Sequence, residues 1–96
     1  MSETTRTLII SAGTSDPTRI NDPDAWVSHA DGPGLGYLQA AVGGLIEAVG
    51  WLPRPFDDLF MWAHEEALLT PFPVLNHLAT RMAGRPIYGD VVVVRD

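Results

Sequence analysis

The sequence predicts an α+β domain in which a small, mostly antiparallel sheet packs against one long helix and one shorter helix. Three observations support this class. Apolar residues recur at helical spacing in GLGYLQAAVGGLIEAVGW, residues 34–51, and a shorter helical pattern follows at residues 73–83. Short apolar runs that favour strands lie at residues 7–12, 59–64 and 91–94. Runs of strands and helices in this order are typical of small mixed domains.

The chain length predicts one domain covering residues 1–96. The 96 residues are 46% hydrophobic, which is enough for one modest core and argues against disorder. Residues 13–33 carry several glycines, prolines and aspartates, so they predict a long loop with one helical turn near residues 24–28. A loop of this length is uncommon in a small domain. We expect Trp26 to anchor it to the core.

Composition excludes several classes of function. Six basic residues against twelve acidic ones give a net charge of −6, whereas non-specific nucleic-acid binding needs a basic patch. The absence of cysteine excludes disulfides, thiolate catalysis and cysteine-ligated zinc. The first residues lack the pattern of a signal peptide, and residues 35–52 contain Gln39, Glu47 and four glycines, which disfavours a transmembrane helix. We therefore expect a cytoplasmic protein without nucleic-acid or membrane partners.

The predicted long helix has two distinct sides. Its apolar arc is wide enough to face a core and holds Leu35, Leu38, Ala41, Val42, Leu45, Ile46 and Val49. The opposite side is a stripe of small residues that ends in a carboxylate: Gly36, Ala40, Gly43, Gly44 and Glu47. A glycine inside a helix costs about 1 kcal/mol against alanine, and a common reason for it is close approach to the backbone. The stripe therefore predicts packing against the chain's own sheet or contact with a partner.

The second half of the chain predicts two strands around a helix. The continuous apolar run LFMWAH at residues 59–64 is typical of a buried strand, and Glu65 and Glu66 follow it. Pro73 fits the first turn of the shorter helix, and Gly84 ends it. Four consecutive valines at residues 91–94 predict a strand that is buried on both faces.

Motifs for catalysis or cofactor binding are weak. Residues 11–15, SAGTS, lack the glycine spacing of a phosphate loop, so we expect a plain turn and no cofactor. His64 is not followed by a second histidine four residues later, as a helical zinc motif requires. A metal site assembled from His29, His64 and His77 stays open as an alternative. Acid/base chemistry is a further alternative if Glu47 and Glu65 converge, with Glu66 beside them.

Three stretches of the sequence resemble a family of small proteins that is known only as a domain of unknown function. They are LQAAVGGLIEAV at residues 38–49, MWAHEEALLTPFPVLNHLA at 61–79 and IYGDVVVV at 87–94. In that family a Gly-Gly-x-Ile-Glu helix precedes a strand with an acidic end, an asparagine begins the second helix, and Gly-Asp leads into a valine-rich strand. The matching residues are Gly43, Gly44, Glu47, Glu65, Asn76, Gly89 and Asp90. His64 departs from the pattern, because an acidic residue is commoner there.

The resemblance implies an accessory protein of the type that bacteriophages and plasmids carry, and it implies no reaction. Small phage proteins of this kind often bind a host protein or a signalling molecule. If a phage encodes the chain, its location would be the host cytoplasm. Taken with the glycine stripe, the resemblance predicts that the residues that contact a ligand or partner are Gly43, Gly44, Glu47, Glu65, Asn76 and Asp90.

Three functions follow as expectations. The first is non-enzymatic binding to a host protein, or self-association as a homodimer, through the small-residue stripe. The second is binding of a small nucleotide signal, which would counter host defence, in a pocket lined by Glu47, Asn76, Asp90 and an aromatic residue. The third is a small hydrolase that uses Glu47 with Glu65 or a histidine-bound metal.

Overall fold

A computed structural model describes residues 4–13 and 16–95 of the chain. Its strands and helices follow in the order β1 (Thr5–Ile10), β2 (Val27–His29), α1 (Gly34–Val42), β3 (Ile46–Trp51), β4 (Phe60–His64), α2 (His77–Ala83) and β5 (Val91–Arg95). Three short 3-10 turns lie in the connections, at Pro17–Asn21, Pro23–Ala25 and Ala67–Leu69. Within the described residues, no helix has the length and apolar character needed to cross a membrane.

The five strands form one sheet in the order β2-β1-β5-β4-β3, and every neighbouring pair is antiparallel. The predicted α+β class, with an antiparallel sheet and two helices, is therefore confirmed. β5 lies in the centre of the sheet, and Val91, Val92 and Val93 are fully buried. The prediction that the valine run forms a strand buried on both faces is confirmed.

The two helices lie on opposite faces of the sheet. Leu38 and Val42 of α1 pack on Val92 from one side. Leu78 and Met82 of α2 belong to a larger cluster on the other side. Strand residues alternate between the two clusters, as the two-residue period of a strand requires. The members of the larger cluster from the sheet are Leu8, Ile10, Met61, Ala63, Val91 and Val93.

The prediction of one long helix over residues 34–51 is wrong for the second half of that segment. α1 ends at Val42, and Gly43 adopts the left-handed conformation with φ 87°. The N–H groups of Gly43 and Gly44 both donate to the Gln39 carbonyl oxygen, which closes the helix. Residues 46–51 then form β3. The apolar spacing of residues 34–51 fits one continuous helix, but the left-handed Gly43 ends the helix at Val42.

The predicted small-residue stripe is consequently not one helix face. Gly36 and Ala40 are exposed on α1, whereas Gly43 and Gly44 form a turn. Glu47 lies on β3, where it pairs with Ala63 of β4. The register of this pair shifts between Ala48 and Gly50, as at a β-bulge, so the edge strand is irregular.

The segment that was predicted as a loop, residues 13–33, contains β2 and two of the 3-10 turns. Asp16 caps the first turn: the Thr18 hydroxyl and then the Thr18 N–H donate to its carboxylate, which lowers the pKa of Asp16 below its ordinary value of 3.8. Trp26 is buried and its Nε1–H donates to the Ile20 carbonyl oxygen, so its anchoring role is confirmed. The expected plain turn at residues 11–15 lies partly outside the described residues, at positions 14 and 15.

The shorter helix begins later than predicted. Residues 73–76 precede α2, and the Asn76 side chain accepts a hydrogen bond from the Ala79 N–H at the start of the helix. Asparagine is among the strongest residues at this capping position, so the helix begins there and not at Pro73. Gly84 ends α2, as predicted.

Candidate functional site

The candidate site lies at one end of the sheet, where β4 ends and β3 and β5 begin. We call this the turn end. Three connections meet there: the α1–β3 turn at residues 43–45, the segment at residues 65–76 after β4, and the turn that holds Gly89 and Asp90 before β5. The first two are joined directly, because the Glu65 N–H donates to the Leu45 carbonyl oxygen over 2.8 Å.

His64 occupies the middle of the turn end. A Cβ atom added to Gly44 would overlap His64 Nε2, so a larger residue at this position requires the imidazole ring to move. On the other side of the ring, Nδ1 accepts a 2.9 Å hydrogen bond from the Glu66 N–H. A neutral imidazole that accepts through Nδ1 carries its proton on Nε2. His64 thus lies between the turn at Gly44 and the backbone at Glu66.

Two grooves flank His64. The smaller groove has a volume of about 180 Å³, and Glu47, Glu65, Arg85 and Tyr88 contribute its polar lining. The larger groove has a volume of about 330 Å³ and is lined by a mixture of polar and apolar residues, among them Gly43, Phe72, Val74, Gly89 and Asp90. His64 and Ala67 line both grooves.

The structure brings five of the six predicted contact residues to the turn end as surface groups. Glu47 and Glu65 line the smaller groove, Gly43 and Asp90 line the larger one, and Gly44 lies against His64. The two glutamates come together because β3 pairs with β4, not because a helix packs over β4. The predicted pocket of Glu47, Asn76 and Asp90 is not formed, since these three residues do not line a common groove.

Asn76, the sixth residue, has a role inside the fold. It is fully buried, and its side-chain amide donates to the carbonyl oxygens of Ile10 and Gly89, each over 2.9 Å. Its amide oxygen accepts from the Ala79 N–H. One side chain thereby joins the end of β1, the turn before β5 and the start of α2. Three satisfied hydrogen bonds explain why a buried polar residue is placed here.

Asp90 supports the same frame. Its carboxylate accepts a 2.8 Å hydrogen bond from the Ala12 N–H, which fixes the connection that leaves β1. The Gly89 N–H donates to the Val74 carbonyl oxygen over 2.8 Å, and Leu75 forms a bridge with Tyr88. The segment before α2 is therefore attached to the sheet by backbone hydrogen bonds.

Sequence reasoning missed the main feature of the turn end, which is a group of exposed apolar side chains. We call it the apolar surface and define it as Leu68, Leu69, Phe72 and Val74, with exposed fractions of 64%, 78%, 86% and 55%. Leu45 is also exposed and adjoins it through the Leu45–Glu65 backbone hydrogen bond. A signal was present in the sequence: ALLTPFPV mixes apolar residues with two prolines, which suit neither a central strand nor a helix interior.

The three histidines lie on different elements. His29 Nε2 is 2.9 Å from the Thr7 hydroxyl oxygen, which in turn donates to the Tyr37 hydroxyl oxygen. His77 is exposed at the first position of α2, far along the chain from His64 at the end of β4. Within residues 4–13 and 16–95, no three histidine or carboxylate side chains are grouped so that they could hold a metal ion. The histidine-metal version of the hydrolase hypothesis therefore has no ligand set in this part of the chain.

The fold and site define a small α+β domain with a hydrogen-bonded frame at one end of its sheet and exposed apolar side chains on that frame. The family model described as a domain of unknown function, DUF3846, matches residues 5–96. The chain therefore belongs to this family, and the resemblance to a family of unknown function is confirmed. No curated protein and no solved structure matches the chain.

Proposed function

We propose that the chain is a non-enzymatic binding domain that contacts a partner protein through the apolar surface at the turn end. The observation that carries this proposal is the exposure of Leu68, Leu69, Phe72 and Val74 within one short segment. Single exposed apolar residues are ordinary, but a group of large ones marks an interaction site. Aromatic side chains such as Phe72 are enriched among the residues that dominate binding energy.

The frame beneath the apolar surface supports the proposal. Asn76 and the Gly89–Val74 hydrogen bond attach the C-terminal end of the segment to β1, to α2 and to the turn before β5. Binding groups that are already held in position lose less conformational entropy on association. The backbone that supports the apolar surface is therefore held in place before a partner binds.

The charge around the apolar surface favours a particular kind of partner. Glu47 and Glu65 line the adjacent groove together with Arg85, Glu66 is exposed beside them, and the whole chain carries a net charge of −6. Complementary charge at the rim of an interface speeds association and selects partners. The best match is therefore a protein with an apolar patch that is surrounded by lysine or arginine.

The partner belongs to the host cell if the chain is an accessory protein of the bacteriophage type. That origin follows from the resemblance of the sequence and stays a prediction. The alternative occupant is a second copy of the chain, which would make a homodimer. The acidic groups beside the apolar surface would then face their own copies, and like charges disfavour that arrangement.

A photo-crosslinking experiment tests the proposal. A photoreactive phenylalanine analogue replaces Phe72 in one variant and Leu35 in a control variant. Leu35 is also a large exposed apolar residue, at 59%, but it lies on α1. Irradiation in cells should give one discrete crosslinked species of higher mass with position 72 and none with position 35.

The mass of the crosslinked species identifies the occupant. A species with a different protein supports the proposal, and a species of twice the mass of this chain supports the homodimer instead. Equal crosslinking from both positions, or none from position 72, would show that the apolar surface is not a contact site.

A further inference from the structure

A second site lies at the opposite end of the sheet and is independent of the apolar surface. It is a cavity of about 160 Å³, lined by Arg6, Ile20, Asn21, Pro23, Trp26 and Arg95. The strands β1 and β5 supply the two arginines, and residues 20–26 of the long segment before β2 supply the rest. Part of the unusually long segment before β2 therefore lines this cavity.

The two arginines are placed where their positive charges repel each other. Arg6 and Arg95 lie directly opposite each other in the β1–β5 register. Like charges at opposed positions of an antiparallel pair are destabilising. The chain has only six basic residues, all of them arginine, against twelve acidic ones, yet two of the six line one small cavity. An anion between them would convert the repulsion into two attractions.

In the part of the chain that the structure describes, carboxylates neutralise this pair only in part. Arg95 Nε lies 3.2 Å from Asp58 Oδ2, the one ion pair within residues 4–13 and 16–95. The Nε atom is buried, and the contact does not have hydrogen-bond geometry. The Asp58 side chain itself is 62% exposed, so solvent screens its charge.

Trp26 holds the Arg95 guanidinium in place. The guanidinium carbon lies 4.6 Å from the centre of a Trp26 ring, within the range of a cation–π contact. The indole is itself fixed, because it is buried and its Nε1–H donates to the Ile20 carbonyl oxygen. A planar guanidinium that is held in this way is suited to binding an oxyanion through two parallel N–H groups.

We propose that this cavity binds a phosphate group, with Arg6 and Arg95 as the charged ligands and Asn21 at the rim as a neutral hydrogen-bonding group. Pockets for drug-sized ligands usually have volumes of about 300–1,000 Å³, so a cavity of about 160 Å³ suits a single anionic group. The site accepts inorganic phosphate, or a phosphate at the end of a larger molecule whose remainder lies outside. A carboxylate, which carries one charge and two oxygens, binds more weakly.

The test is a titration with inorganic phosphate, followed by NMR at the Trp26 Nε1–H and the Arg95 Nε–H signals. Sodium chloride keeps the ionic strength constant. Saturable shifts of both signals with a dissociation constant in the millimolar range or tighter support the site. Sodium acetate in a parallel titration should give weaker binding. Shifts that do not saturate, or tighter binding of acetate than of phosphate, would overturn the proposal.

Two arginine variants separate the site from general charge effects. Arg6→Gln removes one exposed ligand and should weaken phosphate binding by about tenfold, which corresponds to about 1.4 kcal/mol. Arg81→Gln removes the same charge from the exposed face of α2 and should leave the affinity within twofold. Equal losses in both variants, or no loss in Arg6→Gln while its NMR spectrum stays folded, would contradict the assignment.

Discussion

Two apolar regions in the second half of the chain differ in their exposure to solvent. Val91, Val92 and Val93 are fully buried in the centre of the sheet, whereas Leu69 and Phe72 are mostly exposed. Both regions are rich in large apolar side chains, so composition does not separate them. Their backbones differ. β5 is paired on both edges and covered on both faces. Pro71 and Pro73, in contrast, remove two N–H donors from the exposed segment.

The contrast between β5 and the exposed segment reflects how the turn end is built. The exposed segment is attached at its C-terminal end, since the Val74 carbonyl oxygen accepts from the Gly89 N–H and the Asn76 side chain forms three hydrogen bonds. The comparison therefore predicts two separable sets of residues: frame residues that determine stability, and apolar surface residues that determine binding.

The largest effect is expected at Asn76, the centre of the frame. Asn76→Ala should lower the free energy of unfolding by about 2–4 kcal/mol, because it removes a helix cap and the amide that donates to the carbonyl oxygens of Ile10 and Gly89. Urea denaturation measures the loss.

Asn76→Asp provides the control for the capping role. Aspartate replaces asparagine well at an ordinary helix start, where only an acceptor is needed. Here the side chain must also donate to Ile10 and Gly89, so Asn76→Asp should destabilise at least as much as Asn76→Ala. A variant with near wild-type stability would show that the two donated hydrogen bonds are unimportant.

The next largest effect is expected at Gly44, where the ring of His64 leaves no room for a side chain. Gly44→Ala should destabilise the protein by about 1–3 kcal/mol, as overpacking does. In a His64→Ala background the same substitution should have an effect smaller than about 1 kcal/mol, since the obstacle is gone. Thermal unfolding of the four proteins gives the coupling energy.

Gly36→Ala is the matched control for that cycle. Gly36 lies on the exposed side of α1, and no atom lies within 4 Å of an added Cβ. Alanine is the better helix former by about 1 kcal/mol, so this variant should be as stable as the wild type or slightly more stable. Similar losses at positions 36 and 44 would contradict the role given to His64.

The sequence predicted the class of fold and most of its elements because these depend on local pattern. The valine run and the strand that ends at His64 are as predicted, and the shorter helix is closed by Gly84 as predicted but begins at His77. The extent of α1 was not predictable from apolar spacing, since LIEAV suits a helix or a strand. Gly43 held the relevant information, because a glycine after an apolar helical run is also the usual helix end.

The site was predictable only in part. The family resemblance pointed to Glu47, Glu65 and Asp90, and the structure places all three at the turn end. The three hydrogen bonds of Asn76 connect residues 10, 79 and 89, so its burial depends on tertiary contacts that no local pattern reports. The cavity between Arg6 and Arg95 depends in the same way on the pairing of the two ends of the chain.

The smallest effect on stability is expected on the apolar surface. Leu69→Ser should change the free energy of unfolding by less than about 0.5 kcal/mol, because the side chain is already 78% exposed. Urea denaturation beside the Asn76 variants checks the contrast. A loss above about 2 kcal/mol would mean that Leu69 belongs to the core and that the two regions are not separable.

The affinity of the crosslinked partner for these variants shows whether the apolar surface is the binding site. The purified partner is titrated with the wild-type chain, with Leu69→Ser and with Leu35→Ser, and the dissociation constants are measured by calorimetry. We predict that Leu69→Ser weakens binding by about tenfold or more, as loss of a central interface residue does, while Leu35→Ser binds like the wild type. Equal affinities of Leu69→Ser and the wild type would contradict the assignment of the apolar surface as the binding site.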